Sequence, residues 1–160
     1  MILQEHTKLS EHFDWAETTV TEQRGVSNIP ITEDIWVNIY KTAQKMEVLR
    51  KDIDYPMSVN SWYRSPVVNT LVGGAKNSDH MTGCAVDFIC PRFGSPLMIC
   101  KRIMQVKEKF GFKQLILEHT WVHISFSHIP NALPKLEVLS LLANGKYAIG
   151  LTDKNGVPYK

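Results

Sequence analysis

Ser78-Asp79-His80-Met81-Thr82-Gly83-Cys84-Ala85-Val86-Asp87-Phe88 is the stretch on which the reading of this chain turns. Residues 84–90 form a short apolar run with one charge in it, Asp87, and such a run beside turn residues predicts a buried strand. A lone carboxylate there costs several kcal/mol of desolvation unless it is paired or bound to a cation. Asp87 therefore needs a partner, either an arginine or a metal. His80 stands seven residues earlier, across a turn containing Gly83, so one local unit can present an imidazole and a carboxylate to the same point. That places a metal ahead of a salt bridge.

Upstream, the residues after Pro56 look extended through 57–63. Ser65-Pro66 then supplies a cap and a proline at the first helical position of a short helix ending at Gly73-Gly74. Arg64 sits at this strand-to-helix junction. Earlier still, Thr32 is a candidate N-cap with Glu33 and Asp34 in the first turn, and Ile35, Ile39, Ala43 and Met46 recur at helical spacing to about Arg50. Residues 1–31 show little sustained periodicity.

Downstream, Ser95-Pro96 opens a second helix, stopped at Phe110-Gly111. Residues 113–117 and 121–126 read as two strands joined by a tight connection at 118–120, with Trp121, His123 and Ser125 on one face by the two-residue period. Asn144-Gly145, between apolar segments 137–142 and 146–151, is a strong hairpin signal. Helices mixed with antiparallel hairpins predict an α+β fold, an antiparallel sheet with packed helices. No repeat or linker divides residues 1–160, so a single domain is expected.

The net charge of +2 is spread along 160 residues, which offers no footprint for a phosphate backbone and argues against nucleic acid as a partner. Cys84, Cys90 and Cys100 are odd in number and lack paired spacing, so they read as buried reduced thiols of a protein made in a reducing cytosol. Gln4, Glu5, His6 and Lys8 interrupt the apolar stretch a Sec signal needs. No run reaches the ~18 apolar residues that cross a bilayer, so no membrane partner is expected, and a monomer is the simplest state.

Two histidines and one carboxylate are an established ligand set for a catalytic zinc, which keeps one position for water. His80, Asp87 and His123 suit that set. His123 or His119 taken singly reads equally as a packed core histidine, but the strand pair places Glu118 at the end of one strand and His123 on the next. A carboxylate there can take a proton from an attacking water and return it to a leaving amine. Arg64 has the planar fork for a substrate carboxylate, or a structural partner instead. Ser78 is a pocket residue or an ordinary cap. His6, His12 and His128 read as surface or packing residues.

Three blocks, Ser61-Trp62-Tyr63-Arg64-Ser65-Pro66, Ser78-x-His80-x-x-Gly83-x-Ala85-x-Asp87-Phe88, and Glu118 ahead of Trp121-Val122-His123, together resemble the zinc D-alanyl-D-alanine carboxypeptidase and L-alanyl-D-glutamate endopeptidase family over roughly residues 58–126. The segment from Leu9 to Pro30 resembles, more loosely, the start of small phage and prophage members. The resemblance implies the hedgehog/DD-peptidase fold and hydrolysis of peptide bonds in the peptidoglycan stem, with one Zn2+ held by His80, Asp87 and His123. It also implies Glu118 as general base, Arg64 as substrate or transition-state anchor and Ser78 in the pocket. Many members place the acid three residues before the last histidine, where this chain has Thr120, while Glu118 lies five before it. The connection must therefore fold differently, and His119 is a reserve base. A phage or prophage endolysin would leave the bacterial host cytoplasm through a holin or act as a virion component. The competing readings are a non-catalytic, zinc-stabilised cell-wall-binding or virion module, and a zinc folding staple with His119 as fourth ligand.

Overall fold

The structure, a computed structural model, describes residues 7–160; His6 lies outside the described residues. A short helix α1 (Trp15–Thr18) opens the described chain, closed by a capping box in which the Asp14 side chain accepts from the Glu17 backbone N–H. The long helix α2 spans Glu33–Ile53. Thr32 has the extended backbone of an N-cap but makes no side-chain capping bond, and the helix ends at Asp54 in the left-handed region. Ile39, Ala43, Met46, Leu49 and Ile53 form its buried stripe, the periodicity that the sequence carries.

The strands are β1 (Ser58–Ser61), β2 (Ala85–Ile89), β3 (Gln114–Leu117), β4 (Val122–Ser125), β5 (Glu137–Leu141) and β6 (Tyr147–Ile149). Between β1 and β2 lie α3 (Pro66–Leu71) and a 3-10 turn at Asp79–Thr82, and between β2 and β3 lies α4 (Pro96–Val106). Ser65 and Ser95 cap α3 and α4 by accepting from Val68 N and Met98 N, each with the proline just inside. The strands form one sheet in the order β1-β2-β4-β3-β5-β6. The β3–β5 pairing is parallel and the other pairings are antiparallel, so the sheet departs from pure antiparallel order at one position. There the chain returns after β4 across residues 126–136 and lays β5 alongside β3.

Alternation along the strands divides the sheet into two faces. Val86 and Phe88, Leu115 and Leu117, and Val122 and Ile124 are buried in one hydrophobic cluster with the stripe of α2 and with Ile99, Cys100 and Ile103 of α4. Each such side chain taken from water contributes about 1.5–3 kcal/mol. Asp87, His123, Ile116 and Leu139 follow one another across the sheet by register, and they line a cleft on the other face. All three cysteines are buried and unpaired, and burial pushes the Cys100 thiol up to about 12.

Candidate metal centre

Asp87 on β2 lies directly opposite His123 on β4, so antiparallel pairing alone brings this carboxylate and imidazole together. His80 comes from the 3-10 turn. Gly83 ends that turn at φ +75°, and a Cβ there would lie 2.6 Å from Ile39 Cγ1 and 3.1 Å from the Ile35 carbonyl oxygen. The turn is thus seated against α2 at a position that only glycine occupies without strain. It folds His80 back over the sheet.

The three ligand-type atoms form a tight triangle. His80 Nε2 is 3.2 Å from His123 Nδ1 and 3.2 Å from Asp87 Oδ1, and His123 Nδ1 is 2.8 Å from Asp87 Oδ1. Three corners of a tetrahedron around an ion with bonds of about 2.0–2.1 Å are separated by roughly 3.3 Å. Two of the observed edges match that size, and the third, between His123 Nδ1 and Asp87 Oδ1 at 2.8 Å, is shorter.

Proton accounting makes the same point. His80 Nδ1 lies 2.6 Å from the Trp62 carbonyl oxygen, which can only accept, so Nδ1 carries a hydrogen and a neutral ring has a bare Nε2. His80 is 2% exposed, and burial lowers its pKa, against the Asp87 charge that would raise it. Burial opposes ionisation of Asp87, but the two imidazoles outweigh it and hold the carboxyl well below the usual range. His123 Nδ1 donates to Asp87 in the tautomer that carries its hydrogen there, and in the other tautomer it offers a third lone pair beside the same oxygen. The neutral Nε2 and the carboxylate Oδ1 are then two lone-pair atoms in contact, an arrangement that a cation between them relieves. The donation from His80 to a backbone carbonyl is also the usual outer support of a ligating histidine.

Around this triangle runs an open cleft of about 730 Å³, lined among others by Arg64, Ser78, Glu118, Trp121 and Tyr147. Arg64 Nη2 meets Asp87 Oδ2 at 2.5 Å and its Nε donates to Ser61 Oγ at 2.8 Å. The arginine partner and the metal-type cluster, alternatives in the sequence, therefore coexist on one carboxylate, one on each oxygen. Ser78 caps the 3-10 turn by accepting from His80 N at 3.3 Å. Burial raises the pKa of Glu118 and the Asp87 charge adds to this, while His123 opposes it. A carboxyl whose pKa is raised holds a proton more readily than an exposed glutamate does, which suits it to proton transfer.

The family model described as Peptidase M15 matches residues 11–125. The chain belongs to the peptidase M15 family. No curated protein matches it. Family membership makes the chain a peptidase, and the matched span holds all six residues that the sequence singles out, from Arg64 to His123. No helix among the described residues of this M15 peptidase is long and apolar enough to cross a membrane.

The structure does not bring His119 to the triangle. Its Nε2 lies 2.8 Å from the Leu141 carbonyl oxygen, and with that bond it is neither a fourth ligand nor a group facing the cleft. Three further residues of the peptidase escape sequence reading. Asn28 is buried and clamps both neighbours of Arg64, donating to Tyr63 O at 2.9 Å and accepting from Ser65 N at 2.7 Å. Asn28-Ile29-Pro30 carries only a turn signal in the sequence. Tyr147 reaches the cleft from β6, and Glu47 of α2 gathers Ser10 and His12; neither has a local signature.

Proposed function

We propose that this M15 peptidase is a zinc enzyme that hydrolyses peptide bonds in the peptidoglycan stem, of the D-Ala-D-Ala carboxypeptidase or L-Ala-D-Glu endopeptidase type, as an endolysin of phage or prophage origin. The observation that carries the reading is the convergence of His80 Nε2, Asp87 Oδ1 and His123 Nδ1 in a cleft that also holds Glu118. A zinc ion held by those three atoms would supply Lewis acidity, lowering the pKa of water to about 7 and polarising the scissile carbonyl.

The chain's own groups do the rest. Glu118, with its raised pKa, accepts the proton of the attacking water and delivers it to the leaving amine. Arg64 steadies Asp87 through Oδ2 and has further guanidinium donors for a substrate carboxylate, which a stem peptide offers at its terminus or its acidic residue. Ser78 lies beside His80 at the cleft margin, in place to bond the substrate backbone. Trp121 gives the cleft an apolar wall.

The test is digestion of purified muropeptides by zinc-loaded protein, with a chelated control and mass analysis of the products. Zinc-dependent cleavage is expected, and the masses identify the bond. Glu118→Ala should lower the rate by about 10²–10⁴-fold with zinc content unchanged, the usual share of a positioned acid-base group. An unchanged rate removes Glu118 from that role, and zinc binding without any cleavage favours the non-catalytic wall-binding module.

A further inference from the structure

The family match ends at Ser125, yet one wall of the cleft is built from later residues, Lys135, Glu137, Leu139, Leu141 and Tyr147. The parallel β3–β5 pairing sets Leu117 beside Ser140, so Glu118, the next residue, adjoins Leu141. The β5–β6 pairing then sets Tyr147 opposite Leu141. Register across three strands thereby carries a phenol from the C-terminal hairpin to the acid of the cleft.

Two side chains tie the hairpin to the turn that bears Glu118. His119 holds the left-handed backbone conformation at φ 64°, uncommon for a residue with a side chain, and donates Nε2–H to the Leu141 carbonyl at 2.8 Å. Tyr147 and Glu118 line the same cleft, and their side chains are close enough to interact electrostatically. Inside the turn, Glu118 N bonds Trp121 O at 3.2 Å. The acid stands five residues before His123, and this longer connection leaves more chain to be held in place.

We propose that the β5–β6 hairpin is a positioning clamp for Glu118, in which the His119–Leu141 bond fixes the turn backbone and the Tyr147 hydroxyl aims the carboxylate at the His80–Asp87–His123 triangle. The clamp rests on the reading of Glu118 as the acid-base group. Tyr147 is a positioning residue that acts through Glu118. It answers the departure in spacing: the acid sits earlier in the chain, and an element outside the matched span orients it.

The experiment compares zinc-loaded wild type, Tyr147→Phe and a hairpin control, Ile149→Ser, on the muropeptide that the wild type cuts. Ile149 is 90% exposed on the same hairpin and lies outside the cleft. Tyr147→Phe should lower kcat by about tenfold, since small misplacements of a reacting group cost up to about 10²-fold, with KM and zinc content within about twofold of wild type. Hydrogen exchange over residues 118–121, read in the zinc-free protein as well, should quicken in Tyr147→Phe and stay at the wild-type rate in Ile149→Ser. A kcat for Tyr147→Phe within twofold of wild type overturns the clamp, as does an equal fall in Ile149→Ser or unchanged exchange at 118–121. Full activity in Glu118→Gln would sink the acid-base reading alone, because the exchange measurement still reports whether the hairpin holds the turn.

Discussion

Two groups of three ligand-type side chains exist among the described residues, His80–Asp87–His123 and Glu11–His12–Glu47, and in both the ligand atoms lie within 4.8 Å of one another. They differ in what satisfies the lone pairs. Glu47 Oε2 accepts from Ser10 Oγ at 2.8 Å and from His12 N at 3.0 Å, and its Oε1 faces His12 Nδ1 at 2.7 Å. The Lys51 ammonium sits 2.7 Å from Glu11 and 3.8 Å from Glu47. That group carries its own cation and its own donors. In the first group, His80 spends its one hydrogen on a backbone carbonyl and leaves a bare nitrogen against a carboxylate oxygen. Arg64 covers Asp87 Oδ2 alone, so what sets the first group apart is not the want of a neighbouring cation but the bare His80 nitrogen held against Oδ1.

The largest effect that would break this comparison is on zinc itself. The wild type should bind one zinc per chain, His12→Ala should keep it, and His80→Ala should lose at least about 100-fold in affinity, because losing even an outer support of a ligand costs 10–100-fold. Metal analysis after dialysis against a competing chelator separates the outcomes. Equal loss in both variants would erase the distinction between the two groups. Equal retention in both would remove His80 as a ligand.

Next in size is the structural role of the second group. Glu47→Ala removes the acceptor of the Ser10 hydroxyl and the His12 N–H, and since Ser10 is only partly buried and His12 exposed, each lost bond costs about 0.5–1.5 kcal/mol. Thermal or urea unfolding of the zinc-free protein should show that loss while zinc stoichiometry stays at the wild-type value. A variant as stable as wild type would demote the Glu47 cluster to surface decoration.

The same contrast explains what the sequence discloses. Strands, the long helix and the proline-started helices are legible because periodicity and caps are local, and the triangle is legible because His80 and Asp87 share one turn-strand unit. The end of α2 is less so: it stops at Asp54 in a left-handed conformation, where the usual glycine signal is missing. Helix α1 is shorter than any periodicity can register, although Asp14 and Glu17 carry its cap. The parallel β3–β5 pairing, and with it the arrival of Tyr147, depends on where a long connection returns. Nothing in residues 126–136 encodes that direction locally. Arg64 facing Asp87 and Glu47 gathering Ser10 and His12 are likewise contacts between distant segments, set by packing.

The smallest effect is a pH dependence that belongs to the Glu47 cluster alone. Burial pushes the Glu47 pKa up, but hydrogen bonds from His12 and Ser10 outweigh burial and leave it below the ordinary glutamate value of 4.5. A carboxyl whose folded pKa is depressed contributes stability that is fully present above the unfolded value and fades as pH falls through the folded one. Glu47→Gln keeps the shape and removes the charge, so the stability gap between wild type and variant should be full above the ordinary glutamate value of 4.5 and narrow as pH falls below it. Asp87, also held low, titrates in both proteins alike and cancels in the difference. Unfolding curves of the zinc-free pair on both sides of that value read the gap directly. A gap that ignores pH would mean that the charge on Glu47 is irrelevant and that its oxygens act only as neutral acceptors, in which case the ion pair with Lys51 could no longer be what makes this group self-sufficient.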